Sequence, residues 1–371
     1  MALGQVQVNN LNLSQGAVTE VEKYFLFIGT GSKSQGQVLA LNTDSDLDVM
    51  LGIPASDLKT QITAARLNGG ENWACLAVPL AADSTWETAL TKALQQNYSF
   101  EAIVICTAVA SGDELSAMHD AAIGLNNSLG RRAFVMAASE GIALTMTWSE
   151  YLAEQKAITD DLAAPRVMCV PQLHGNDLGV LAGRLANSAV SIADSPMRVA
   201  TGALLGLGPV PQDKDGVPLD RSVRIELDKS RFSVSQTYTD YPGVYWGDGN
   251  LLDAPGSDYQ VIEYLRIVDK AARQVRPLLI RRVADRRLNN SPNSMATNKT
   301  FFMTPLRAMA KTTTFAGQTF PGEIEPPADN AIVLSWKSKT EVEVYISVRP
   351  LNCPKVLTAN IALDLSTTAK E

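Results

Sequence analysis

Histidine is almost missing from these 371 residues: only His119 and His174 occur. Neither has a companion ligand at metal spacing, so the sequence assembles no zinc site. Cysteine is nearly as scarce. Cys75, Cys106, Cys169 and Cys353 never form a CxxC pair, and three of them lie in apolar, strand-like runs. That pattern reads as reduced core thiols. No apolar run approaches the ~20 residues of a membrane helix. The start, MALGQVQVNNLNLSQG, lacks both the basic opening and the apolar core of a signal peptide. A soluble chain is expected, one that stays where it is made unless it leaves within a particle. Catalytic signatures are lacking too. GxSxG does not occur. Asp44, Asp46 and Asp48 alternate without the glycine and late glutamate of a calcium loop, so a solvated turn and helix start are expected there.

What is present is an ordinary globular composition, 46% hydrophobic and 19% charged, in a chain long enough for about two domains. Apolar runs of strand length recur at Tyr24–Gly29, Trp73–Val78, Ile103–Thr107, Ala133–Ala138 and Val167–Val170. Helical stretches lie near Ala55–Leu67, Trp86–Gln96, Asp113–Leu129 and Trp148–Asp160. Apolar strands separated by helices read as βα units on a mostly parallel sheet. An amphipathic helix follows at Leu178–Ile192. After it, glycines and prolines from Gly206 to Pro218 mark a plausible domain boundary. A short strand is expected at Val223–Leu227.

Gly29-Thr30-Gly31-Ser32-Lys33-Ser34 follows a strand and tempts a nucleotide-binding reading. The phosphate loop requires a glycine immediately before its lysine, where Ser32 stands, and the dinucleotide fingerprint requires a third glycine where Ser34 stands. A cytoplasmic α/β enzyme with a nucleotide site at Gly29–Ser34 is therefore the alternative, not the leading reading.

The segment from Tyr238 to Asn290 breaks the charge pattern. Between Val261 and Asn290 it carries a local balance of +5 in a chain of net charge −7, which leaves −12 for everything else. Ser257 and Gln260 have the form of a capping box. Val261, Leu265, Val268, Ala272 and Val275 draw one apolar stripe along a helix, with a kink or a second helix expected at Pro277. The basic residues have three readings: a helix face paired to nearby carboxylates, docking onto an acidic protein surface, or nucleic acid. The last is disfavoured by a pI near 5 and by the lack of aromatics over Val275–Asn290. Asn289–Asn293 reads as a turn, and Thr300–Lys311 as a short helix with Pro305 near its start.

Two strands at Ala331–Trp336 and Glu341–Val348 flank Lys337-Ser338-Lys339. In the second, Val342, Val344, Ile346 and Val348 share one face in strict period two. Both chain ends alternate in the same way. Val6, Val8, Leu11 and Leu13 form one short arm, and Ala359, Ile361, Leu363 and Leu365 another. A lone hairpin needs more strands to be stable. The arms either fold back onto their own hairpin or cross to neighbouring molecules as added strands. Pattern alone favours the first, because strands usually pair within their own chain.

The words YPGVYWGDGNLL, DYQVIEYLRIVDKAARQVRPL and VADRRLNNSPNS, with the C-terminal strand pair and trailing arm, resemble contractile phage tail sheath proteins of the compact myophage and prophage branch. The resemblance is best over about residues 230–365. It implies a structural, non-enzymatic subunit that stacks as hexameric rings around a tail tube and contracts to drive that tube through the host envelope. It further implies an N-terminal arm (1–20), an outer α/β domain with a mostly parallel sheet (21–230), a smaller α+β inner domain facing the tube (231–350) and a C-terminal arm (351–371). Terminal strands exchanged between neighbours would complete the hairpin, which reverses the preference for intramolecular closure. Tube-facing candidates are Arg273, Arg276, Arg281, Arg282, Arg286 and Arg287, or else Lys299, Arg307 and Lys311. The implied partners are further copies of the chain, the tail tube protein, and the baseplate and tail terminator proteins, with no nucleic acid, membrane or cofactor. The implied location is the virion tail, assembled in the host cytoplasm.

Overall fold

The computed structural model describes residues 21–315 and 317–363. Its elements in chain order are β1 (Phe25–Thr30), β2 (Leu39–Asn42), α1 (Leu47–Leu51), α2 (Asp57–Gly69), β3 (Ala74–Leu80), α3 (Trp86–Gln95), β4 (Ala102–Val109), α4 (Gly112–Leu129), β5 (Phe134–Ser139), α5 (Trp148–Thr159), β6 (Val167–Pro171) and α6 (Asp177–Ala186). Then follow α7 (Arg221–Lys229), β7 (Ser235–Tyr238), β8 (Tyr241–Trp246), α8 (Ile262–Ile280), α9 (Pro292–Met309), β9 (Thr313–Phe315), β10 (Gln318–Phe320), β11 (Ile332–Trp336) and β12 (Val342–Ile346).

The first six strands form one sheet in the order β2-β3-β1-β4-β5-β6. It is parallel except for β2, which pairs antiparallel to β3 at the edge. The strands are apolar on both faces because both faces are covered. In β1, Leu26 and Ile28 enter one core with residues of α3, α4 and α5, while Phe25 and Phe27 enter a second with α2 and α6. Every residue of α6 is buried, Asp177 and Arg184 included, so the helix expected there has no face in water, and it ends earlier, at Ala186. Gly179 and Gly183 permit this: a Cβ on either would run into the carbonyl oxygens of Gln61 and Ala65 on α2.

Residues 223–227 are helical, not a strand. Asp220 caps α7 by accepting from the Val223 N–H at 3.0 Å, and Val223 and Leu227, four apart, are its buried pair. Gln260 does reach Ser257, at 3.1 Å, but it closes a loop ahead of the helix, which begins at Ile262. Pro277 sits in the last turn of α8, not at a break. The helix expected from Thr300 begins at Pro292, where Ser291 caps it, and runs through Pro305.

A third, smaller core gathers Ile267, Ala271 and Val275 of α8 with Phe302 and Leu306 of α9 and Ile332 and Leu334 of β11. The residues from Phe232 to Leu265, expected with the smaller unit, pack with the large sheet instead. The change of core falls within α8, between Leu265 and Ile267.

Candidate assembly surface

The hairpin β11–β12 is antiparallel and two-stranded, so each strand has one neighbour among the described residues. Two bonds bracket its register: Ser347 N–H to Ala331 O at 2.8 Å, and Lys337 N–H to Glu341 O at 3.0 Å. Odd-numbered residues of β12 therefore bond to β11. The N–H and C=O groups of Val342, Val344 and Ile346 point the other way, along an open edge. Their side chains, with that of Val348, pack half-buried on the small core, while Tyr345 on the opposite face is exposed. Beside this edge lies a groove of about 850 Å³ between the hairpin and the turn that follows α8. Leu279, Val283, Leu288, Trp336, Val342 and Val344 supply its apolar lining.

Residues 351–363 have no regular secondary structure and make no backbone hydrogen bond to the described residues. Ala359 is exposed, and Ile361 and Leu363 are 96% and 81% exposed. These apolar side chains, with those of Val356 and Leu357, are left exposed and without a strand partner among the described residues. Val6, Val8, Leu11 and Leu13, and Leu365 at the other end, lie outside the described residues.

The structure divides the arginines of the basic segment. Those in the first turns of α8 are internal. Arg266 makes a two-pronged pair with Glu101, both bonds 2.8 Å. Asp269 accepts from Arg166 at 2.7 and 2.9 Å and from Arg132 at 3.1 Å. Lys270 meets Glu323 at 2.6 Å, and Arg273 meets Glu22 at 2.9 Å. Burial would raise the Glu101 carboxyl, but Arg266, Arg273 and the Lys23 N–H outweigh it and hold it below the usual range. Lys23 falls to about 8, chiefly through burial and then through Arg266.

Arg273 is thus a poor candidate for outside contact, and so is Arg282. The latter donates to Asn298 at 2.7 Å, pairs with Asp285 and stacks over the Phe301 ring at 4.3 Å. Arg276 is exposed beside Gly130, at the C-terminus of α4. Arg287 is largely exposed while touching Asp285. Arg281, Arg286, Arg307 and Lys311 are exposed, and Lys299 half-buried, with no ion-pair partner among the described residues.

The internal pairs escaped sequence reasoning because Glu101 and Arg266 are 165 positions apart, and Arg166 and Asp269 are 103 apart. The available signal was local: Glu101 and Arg166 each stand directly before an apolar strand.

The Gly29–Ser34 passage has no phosphate-binding geometry. It leads from β1 into a strand, not into a helix N-terminus. The Ser32 and Ser34 hydroxyls donate to the carbonyls of Leu51 and Met50, and the Gly31 N–H to Leu80. A Cβ at Gly29 would lie 2.7 Å from that of Cys106, so this glycine serves close packing.

Comparison with known proteins covers nearly the whole chain. A model of the DUF2586 N-terminal domain matches residues 3–250, and one of the DUF2586 C-terminal domain matches residues 258–366. The chain is 44% identical over 368 residues to a protein assigned as a tail sheath protein of Haemophilus phage HP1 (strain HP1c1), covering 97% of this chain and 98% of that one. In fold it is similar to a chain of the contracted helical sheath of the anti-feeding prophage, with a TM-score of 0.61, 13% identity, and 98% and 99% coverage. It is also similar to a chain in the 6-fold symmetrised baseplate of that particle, with a TM-score of 0.60, 14% identity and 98% coverage of both.

Proposed function

This chain belongs to the DUF2586 family and is a phage-type tail sheath protein, structural and not enzymatic, and from that premise we propose that it polymerises by exchanging its terminal strands. One observation carries the proposal: among the described residues the β12 edge is unpaired, while residues 356–363 carry exposed apolar side chains and no strand partner. Added strands satisfy the open edge, and the apolar alternation of the arms supplies the register.

The assembled form we propose is a stack of hexameric rings around a tail tube. The α/β sheet unit faces outward, and the smaller unit, whose core begins at Ile267, faces the tube. Subunits assemble in an extended, higher-energy lattice held by weak contacts to the tube protein. A trigger at the baseplate then releases them ring by ring into a wider, shorter lattice. Strands shared between neighbours keep that lattice connected while it changes shape. Basic side chains suit the tube contacts because exposed charge pairs are weak and screened by salt. Arg276, Arg281, Arg286 and Arg287, with Arg307, Lys311 and Lys299, remain for that role. A terminator protein closes the far end, and the particle assembles in the host cytoplasm as part of the virion tail.

The test is truncation. Full-length chain is expected to give hollow cylinders by negative-stain microscopy. Deletion of residues 1–15 or 356–371 is expected to leave a monomer with unchanged circular dichroism that forms none. Collapse of the fold on truncation, or cylinders at normal yield, would refute strand exchange.

A further inference from the structure

Lys355 is the last side chain of the described chain to make a polar contact with its own subunit. It stands at the root of the C-terminal arm, one residue before the exposed apolar run that starts at Val356. Its Nζ lies 2.6 and 2.7 Å from the two carboxylate oxygens of Asp248 and 2.7 Å from Glu263 Oε1. Asp248 belongs to the turn between β8 and α8, and Glu263, 1% exposed, to the first turn of α8. Asp228 of α7 faces the same group and is bonded to Asn250 at 2.7 Å. Asp248 also accepts from the Gly249 N–H at 2.8 Å and meets the Ser195 hydroxyl at 3.5 Å. Among the described residues no other cation forms an ion pair with Asp248 or Glu263. Two carboxylates are thus committed to one ammonium that the chain brings in from its far end.

We propose that Lys355 is a positioning residue for assembly: it pins the root of the C-terminal arm to the body of its own subunit, so that the arm leaves from a fixed point toward the neighbour that binds it. The inference rests on the strand-exchange reading above. Burial opposes charge on Lys355, but Glu263 and Asp248 outweigh it and raise its pKa, so the ammonium is charged through the neutral range.

The consequence is geometric. Upstream of the pin, the chain is last tied at Pro350, which bridges to Ile324. Releasing Lys355 frees the residues in between and adds roughly 17 Å to the tether. A longer, unfixed tether lowers the effective concentration of the arm at its acceptor. The pin therefore raises polymer yield without itself touching the neighbour.

Trypsin reads the pin directly, because Lys355 is itself a cleavage site while Arg349 is blocked by Pro350. Lys337 and Lys339, exposed in the hairpin turn, are internal controls. In unassembled full-length chain, cleavage at Lys355 relative to these controls is expected to rise about tenfold in D248N/E263Q, since cleavage tracks the open population. K355R, which keeps both charge and cleavage site, is expected to stay slow. E263Q alone gives the same direction should the double variant unfold. An unchanged ratio overturns the pin. In polymerisation assays D248N/E263Q is expected to give fewer cylinders than wild type. If it is cut faster yet polymerises fully, the positioning role is overturned. Cylinders from the 356–371 deletion would instead remove the strand-exchange reading beneath it.

Discussion

Arg266 and Glu101 face each other squarely across the junction of α8 and the large sheet, with side chains only 2% and 1% exposed. Neither could be so buried without the other, because an isolated charge taken from water carries a large desolvation cost. With Asp269–Arg166 alongside, the pair ties the C-terminal helix into the N-terminal sheet. The basic segment is therefore, in its first half, an internal ionic seam.

Removing one partner should be costly. Glu101→Gln leaves Arg266 buried without a counter-charge, and the expected loss is about 3–5 kcal/mol. Urea denaturation of the unassembled chain measures it. Combining Glu101→Leu with Arg266→Met is expected to recover most of that loss, since apolar replacement of a whole buried pair is often close to neutral.

Glu101 and Glu263 should give opposite pH signatures. The Glu101 carboxyl is held low, so its contribution is present above the ordinary value of 4.5 and is lost as pH falls through its folded value. Glu263 is raised by burial, which Lys355 only partly offsets. Its ionisation therefore costs stability as pH rises from 4.5 toward its folded value. Relative to wild type, E263Q is expected to lose more stability, or gain less, on moving down to pH 4.5. E101Q is expected to show a shallower loss below it. Denaturation midpoints across pH decide both, and parallel curves for all three chains would contradict the assignment.

The α/β half was legible because its strands are short apolar runs and its helices carry clear periods. Phe25–Thr30 and Trp148–Thr159 lie within a residue or two of their expected bounds. The hairpin was legible too, since Val342, Val344 and Ile346 alternate strictly. What stayed hidden depends on contacts distant in sequence. The all-round burial of α6 needs α2 against its glycines, and Val223–Leu227 reads as a strand until Asp220 is seen capping a helix. Lys355 offered no signal, because its two carboxylates lie about a hundred positions upstream. The basic segment showed its charge in sequence but not its division into internal and external halves.

That division predicts two classes of arginine variant. Reversal at Arg281, Arg286 and Arg287 is expected to leave the thermal midpoint of the monomer nearly unchanged, since exposed pairs contribute about 0–1 kcal/mol. It should reduce the fraction of tubes carrying sheath, and the difference from wild type should narrow with added salt, which screens the contact in both. Reversal at Arg273 or Arg282 should instead destabilise the monomer, by like charge against Glu22 or Asp285. If the exposed set can be reversed along with Arg307, Lys311 and Lys299 without loss of sheathed tubes, charge does not dock the sheath.

The open edge makes the most direct prediction. Proline at position 344 deletes an N–H that points away from β11, so the hairpin's own ladder survives it. Proline at position 343 deletes an N–H directed at β11 and also disrupts the ladder sterically. Val344→Pro is therefore expected to cost about 1 kcal/mol, from lost packing of a half-buried valine, and to leave a folded monomer. Glu343→Pro should cost more and expose the small core. In polymerisation the order changes meaning. Val344→Pro should abolish cylinders despite its near-normal melting, because a strand added along β12 needs the outward N–H groups of Val342, Val344 and Ile346. Normal cylinders from Val344→Pro would mean that neighbours bind elsewhere, and the open β12 edge would then be covered by something other than an added strand.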